Sequence, residues 1–237
     1  MTIYNKGQFK FNNKKSFDDF GLNVLSVTIN LPSINEYKAS VPYCNGEYDF
    51  SNLYGVNTYS NRSIIIVAEI ADKTLTRTHL NLLFEPIMKW LFCGEARLDI
   101  DFEYGYFFGK VINVSSIDIF NYTGRIEIEF SCYPFRKFDF NQSEILWDSF
   151  CFPTDYLIPT KFNINGTKEI NLYNAGSTKV TPKIISDSRF EIVYKNNRYI
   201  LEAGESKDFI FNLDPADNKM VLRGKAQIEF IYSKEVL

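Results

Sequence analysis

A single histidine, His79, sets the first limit on chemistry, because any Ser/His/Asp or Cys/His nucleophilic arrangement has to use it. It falls in "THLNLLFEPIMKWLFCG", a helical pattern with no nucleophile signature around it, and reads as structural. A histidine-built metal site has no second ligand. Asp99 and Asp101 in "LDIDF" could hold a hard cation, but the alternate spacing places both on the solvent face of a strand, with Leu98, Ile100 and Phe102 opposite. Asp18 and Asp19 in "GQFKFNNKKSFDDFGLNV" lie just before Phe20-Gly21 and suit the capping of a turn. The glycines are scattered and build no phosphate-binding loop. Cys44, Cys93, Cys132 and Cys151 form no CxxC pair, which argues against a zinc knuckle, and they read as buried free thiols. No catalytic residue, no metal and no cofactor is expected, and the chain reads as a non-enzyme.

The elements that would position such residues are mostly strands. In "GRIEIEFSCYP", Ile126, Ile128, Phe130 and Cys132 share one face while Glu127, Glu129 and Ser131 share the other, the pattern of a half-buried antiparallel strand. "RSIIIVAEI" from Arg62 to Ile70 is a β-branched run suited to a strand covered on both faces, and "RLDIDF" and "FFGKVINVSSIDIF" add further strands. The opening stretch reads as strand, turn and strand: Phe9 and Phe11 share a face, the Asn-Lys segment turns outward, and Asp18-Asp19 precede the next strand. One helix is predicted, with Leu80, Leu83, Phe84, Ile87 and Leu91 as its apolar stripe, Pro86 as a kink or restart, and Gly94 as its stop.

Residues 36–62, "EYKASVPYCNGEYDFSNLYGVNTYSNR", combine turn formers with aromatics and suggest a hairpin or arm leaving the sheet. Such an arm suits contact with another chain. After "CYPFRKFDF", the stretch "NQSEILWDSFCFPTDYLIPT" has no clear period and reads as a linker or irregular strand. A second β unit follows, in which "KNNRY" reads as a tight hairpin turn. The expected division is 1–137 and 138–237, two β-sandwich-like domains.

The chain has 237 residues, 45% of them hydrophobic, enough for buried cores. Its formal net charge of -3 supplies no basic footprint for phosphates, so specific nucleic-acid binding is not expected. No segment approaches bilayer length, so no membrane insertion is expected. The aromatic share of 16% suits sandwich cores and protein interfaces. It also admits an alternative, a carbohydrate-binding (lectin-like) module in which aromatic faces, Trp147 the largest in that half, stack on sugars of the host surface.

Four segments occur in the order seen in one family: "GQFKFNNKKSFDDFGLNV", "VPYCNGEYDFSNLYG", "MKWLFCGEARLDI" and "IEFSCYPFRK". With "NLYNAGSTKVTPKII" and the closing "FNLDPADNKMVLRGKAQIEFIYSKEVL", the chain resembles the distal tail proteins of long-tailed phages over nearly its whole length. Two departures stand out. Family members often carry Pro-Gly where this chain has Pro42-Tyr43, and a glycine where it has Ala216-Asp217.

The resemblance implies a virion structural protein of the tail tip, or baseplate, assembled as a homo-hexameric ring around a channel through which DNA passes without specific binding. It implies an N-terminal ring-forming domain with one helix and an extended arm, and a C-terminal galectin-like β-sandwich. The implied partners are the tail tube protein and tail-associated hub, fibre or receptor-binding proteins. Pro42, Gly46, Tyr48, Asp49 and Phe50, in the matching segment, are the implied residues of a protomer-interface arm.

Overall fold

The computed structural model describes residues 7–51, 57–70, 77–101, 103–115, 124–138, 159–206 and 211–237. The chain is mostly β and divides into two compact units at Arg136/Lys137. The expected linker, Trp147 and Cys151 lie outside the described residues.

The first unit contains β1 (Phe9–Phe11), β2 (Lys14–Lys15), α1 (Ser16–Phe20), β3 (Leu22–Ile29), β4 (Lys38–Ser40), β5 (Glu47–Asp49), β6 (Arg62–Ile70), α2 (Arg77–Leu91), β7 (Ala96–Ile100), β8 (Tyr106–Val114) and β9 (Arg125–Cys132), and β10 (Arg136–Lys137) lies at the division. An antiparallel sheet runs in the order β2-β1-β7-β8-β9-β6-β3. In β6 the face of Ile64, Ile66, Ala68 and Ile70 is buried, whereas on the other face Val67 is buried and Ser63, Ile65 and Glu69 are half-buried, so the β-branched run is not covered on both faces as expected. In β9 the predicted face of Ile126, Ile128, Phe130 and Cys132 is wholly buried. Gly109 of β8 lies opposite Cys132, where a Cβ would stand 2.5 Å from the Ser131 carbonyl and 2.6 Å from Cys132 Cα, so only glycine lets these strands pair so closely.

The opening stretch is more compact than strand, turn and strand. Asn12 and Asn13 both adopt positive φ, 48° and 63°, the left-handed pair that a two-residue hairpin turn needs. A single helical turn, α1, then carries the chain to Gly21, whose left-handed φ of 65° ends it and whose N–H bonds back to the Phe17 carbonyl. Where one helix was expected there is thus this short one as well, because Asp19 accepts the Lys15 N–H at 2.7 Å and closes the turn. Phe9, Phe11 and Phe20 all converge on Trp90 of α2. Its ring stacks on Phe9 at 5.5 Å and on Phe20 at 4.4 Å, and its Nε1–H donates to the Phe11 carbonyl at 2.8 Å. Helix α2 runs through Pro86 without ending, and its buried face is Leu80, Ile87, Trp90 and Leu91. Leu83 and Phe84 of the expected stripe are only half-buried.

The second unit contains β11 (Lys161–Asn174), β12 (Lys183–Ser186), β13 (Phe190–Tyr194), β14 (Asn197–Leu201), β15 (Gly204–Ser206), β16 (Ala216–Ile231) and β17 (Glu235–Val236). Strand β11 pairs with β16 along its entire length; on the other side of β16, β13 takes the first part and β12 the last. Gly166 and Gly224 face each other in this ladder, at φ of 103° and 132°. A Cβ on Gly224 would come within 3.3 Å of the Phe190 backbone, so the missing side chain is what admits β13. The turn predicted at "KNNRY" is present, with Lys195 and Asn196 both at positive φ between β13 and β14.

Candidate functional site

Strands β3 and β6 do not stop where the sheet stops. Their ladder continues outward through Asn30 N–H to the Ser63 carbonyl, the Ile34–Tyr59 bridge, and a hydroxyl contact of 2.8 Å between Ser33 and Ser60. At its far end β4 and β5 form a separate two-stranded ribbon, paired Lys38↔Asp49, Ala39↔Tyr48 and Ser40↔Glu47.

The period of two then sorts this ribbon's side chains. Tyr37, Ala39, Tyr48 and Phe50 fall on one face, where the rings of Tyr48 and Phe50 stack at 6.5 Å. Lys38, Ser40, Glu47 and Asp49 fall on the other. Tyr37, Tyr48 and Phe50 remain 60%, 54% and 48% exposed, and Tyr43 at the tip is fully exposed. A two-stranded ribbon is marginal in water on its own. Here an aromatic face is displayed to solvent on such a ribbon, and aromatic side chains are enriched in protein interfaces.

The charged face is ordered by short local contacts. Asp49 accepts the Ser51 N–H at 2.8 Å, and hydrogen bonds from the Ser51 side chain and backbone hold its carboxyl below the ordinary range. Lys38 pairs with Glu36 at 2.6 Å. At the tip, Pro42 and Tyr43 occupy the turn closed by the Cys44 N–H on the Val41 carbonyl, and Gly46 has φ of 90°. Tyr43 itself has φ of 66°, a left-handed conformation that a residue with a side chain takes at a steric cost. The closing loop repeats this, with Ala216 at φ of 74°. There Asn218, 1% exposed, fixes the backbone: its amide donates to the Asp214 and Ala216 carbonyls and its oxygen accepts from the Asp214 N–H and the Tyr194 hydroxyl.

Pro42, Gly46, Tyr48, Asp49 and Phe50 are therefore gathered in one projecting hairpin. Tyr48 and Phe50 lie on its aromatic face, Asp49 on its charged face, Pro42 and Gly46 in its turn. Tyr37, Val41 and Tyr43 are further exposed side chains of the hairpin, Tyr37 by its place on the aromatic face and Val41 and Tyr43 by theirs at the tip. The other candidates are dispersed. His79 is exposed on α2; Asp99 forms a fork with Arg97, Nε at 2.8 Å; and Asp101 accepts the Gln8 N–H at 3.1 Å. Cys132 is buried, but Cys44 and Cys93 are exposed, contrary to the expectation of buried thiols, because they sit in the arm's turn and beyond the end of α2. Among the described residues no group of three or more His, Cys, Asp or Glu could hold a metal ion.

No protein-family model matches the chain, and no curated protein matches it in sequence. Among solved structures it is similar to the SPP1 Dit protein, described as a paradigm of the hub adsorption apparatus in phages infecting Gram-positive bacteria. The two share 12% identity over 98% of this chain and 99% of that one, with a TM-score of 0.63. At that identity the likeness is one of fold, and it runs through both units. The phage P2 baseplate in its activated conformation with Ca, and again with Sr, gives TM-scores of 0.43 and 0.41 at 8% identity, over 96% and 94% of this chain and 98% and 97% of those chains. Those two are too distant in structure to argue from.

Proposed function

We propose that this protein is a structural, non-enzymatic hub of a phage tail tip, at the point where the tail tube meets the host-adhesion apparatus. Residues 1–137 close a homo-hexameric ring, and the arm carrying Pro42, Gly46, Tyr48, Asp49 and Phe50 contacts the next protomer. Residues 138–237, a galectin-like sandwich in this reading, hold tail-associated fibre or receptor-binding proteins. DNA passes through the ring without specific binding, in keeping with the net charge of -3.

The observation that carries the proposal is the end-to-end fold likeness to an adsorption hub, in a chain whose hairpin offers an aromatic face to solvent. A ring is closed by heterologous contacts, and these require an element reaching from one protomer onto a different surface of the next. The arm has that form. The test is the mass of the purified protein by light scattering over a concentration series, with negative-stain images of the same samples. Six-fold rings support the proposal, and a species of single-chain mass throughout would refute self-assembly.

A further inference from the structure

The sequence presents Asp101 only as half of a solvated pair, but the sheet sets it at the end of a row of oxygen donors. The N–H of Val24 donates to the Gly7 carbonyl at 3.2 Å, which brings the chain ahead of β1 alongside β3. Five successive antiparallel pairings lead from β3 through β6, β9, β8 and β7 to β1, so β3 and β1 run in opposite directions and Gln8 lies opposite Asn23. Asn23 pairs in turn with Glu69 of β6, and the Asp101 N–H donates to the Gln8 carbonyl at 3.2 Å. Glu69, Asn23, Gln8 and Asp101 therefore stand side by side across the sheet. Their neighbours Ile70, Leu22, Phe9 and Ile100 belong to the core, so the period of two turns these four toward the other face.

Two members of the row hold an oxygen that no donor reaches. Asn23 is 6% exposed, and its buried Oδ1 has no hydrogen-bond partner; the buried Gln8 Oε1 has none either. Asp101 gives one oxygen, Oδ2, to the Gln8 N–H at 3.1 Å. Among the described residues Glu69 has no ion pair, not even with Arg125 opposite it on β9. Lys15, which feels the charge of Asp101, is held by Asp18 at 2.9 Å.

A buried oxygen without a donor is strongly unfavourable, and a row of acceptors flanked by carboxylates is answered by a cation. We propose that Asn23 Oδ1, Gln8 Oε1 and the Asp101 carboxylate bind a calcium ion, drawn also by the charge of Glu69. Residues directly opposite on antiparallel strands have Cβ atoms roughly 4.5–5.5 Å apart, and Ca²⁺ at about 2.3–2.6 Å from each ligand bridges oxygens up to about 5 Å apart. Calcium accepts an irregular set of carboxamide and carboxylate oxygens completed by water, whereas Mg²⁺ demands an octahedron. Only two carboxylates take part, in keeping with the lack of any larger acidic cluster among the described residues. The ion ties β1 to β3 at the seam that the Val24–Gly7 hydrogen bond closes.

The experiment compares the full chain with Asp101→Asn, which keeps an acceptor for the Gln8 N–H without the charge, and Gln8→Met, which removes a buried oxygen. Thermal unfolding is followed in calcium chloride against sodium chloride at equal ionic strength, and the side-chain amide resonances of ¹⁵N-labelled wild type through the same titration. A dissociation constant of about 0.1–1 mM is expected, as for weak calcium sites. Above it the wild-type midpoint rises by about 3–6 °C for each tenfold increase in calcium, and the Asn23 and Gln8 amide resonances move along one saturation curve. Asp101→Asn binds about tenfold more weakly, and magnesium chloride gives a smaller rise than calcium. Gln8→Met shows no rise; should it fail to fold, Asp101→Asn, altered at an exposed position, carries the comparison. Equal rises in wild type and Asp101→Asn, or Asn23 and Gln8 amide resonances unmoved at about 10 mM calcium, overturn the proposal. An equal response to magnesium overturns the assignment to calcium.

Discussion

Replacing Tyr48 and Phe50 together with serine removes the stacked pair from the arm's aromatic face and touches nothing in either core. A fully buried aromatic side chain hides about 150–250 Å². With 54% and 48% still exposed, each ring has on the order of 100 Å² left to bury. At about 25 cal/mol per Å² the two together represent roughly 5 kcal/mol of contact. Incomplete coverage in the complex, and the ordering of the ribbon, reduce this by about half, to some 2–3 kcal/mol. The expected result is a fall of roughly 30- to 160-fold in the association constant per contact. Stability of the isolated chain, measured by urea unfolding, should stay within about 0.5 kcal/mol of wild type, as for surface changes generally. Light scattering across a dilution series reads the first quantity and circular dichroism the second. An unchanged association constant would refute the assignment of this face to the interface. A loss of stability above about 1 kcal/mol would show instead that the rings pack against the body of the chain.

Five other outcomes check separate parts of the account. Trp90→Phe loses the donor to the buried Phe11 carbonyl and part of its stack with Phe20, so urea unfolding should report a loss of about 2–4 kcal/mol in the first unit. Gly109→Ala sets a Cβ 2.5 Å from a carbonyl of the adjacent strand, and should cost about 1–3 kcal/mol or more because backbone, not a rotamer, has to yield. Ala216→Gly relieves a left-handed alanine and should raise stability by up to about 1 kcal/mol in the same assay, the gain being offset in part by the freer unfolded chain. Burial pushes the Cys132 thiol up from 9.0 to about 12, so its neutral form is favoured by folding. Stability from this group is therefore complete below pH 9 and declines as pH rises toward 12, by up to about 1.4 kcal/mol per pH unit. Peptide mapping after iodoacetamide treatment at pH 8 should find Cys44 and Cys93 labelled and Cys132 protected until the chain is unfolded.

Strands announced themselves in the sequence wherever one chemical pattern was repeated along a single element. The alternation of Ile and Glu in β9 predicts its own burial, while the β-branched run of β6 predicts a strand but overstates the cover of its second face. The hairpin turn at "KNNRY" was legible from its asparagines, although the left-handed pair falls on Lys195 and Asn196, and lysine does not favour that conformation by type. The arm was visible as a composition, but its two faces were not. They depend on the register Ala39↔Tyr48, which the sequence between Tyr37 and Tyr59 does not determine. Trp90 escaped the helical stripe because its partners, Phe9, Phe11 and Phe20, lie some seventy or more residues away. Arg62 escaped for a different reason: at the head of a β-branched run it looks like a solvated strand terminus, and only the fold, which lays its guanidinium over the Phe107 ring, shows it to be buried. Tyr43 and Ala216 are the converse case, where residue type argued against a left-handed backbone and the surrounding hydrogen bonds imposed it.

The central claim, a hub that assembles through its arm, is tested most directly by negative-stain electron microscopy of the purified chain across a concentration series, with the mass of each sample from light scattering. The account predicts six-fold rings whose population grows with concentration and disappears in the Tyr48/Phe50 double variant. A single-chain mass at every concentration, with no rings in any image, would contradict it.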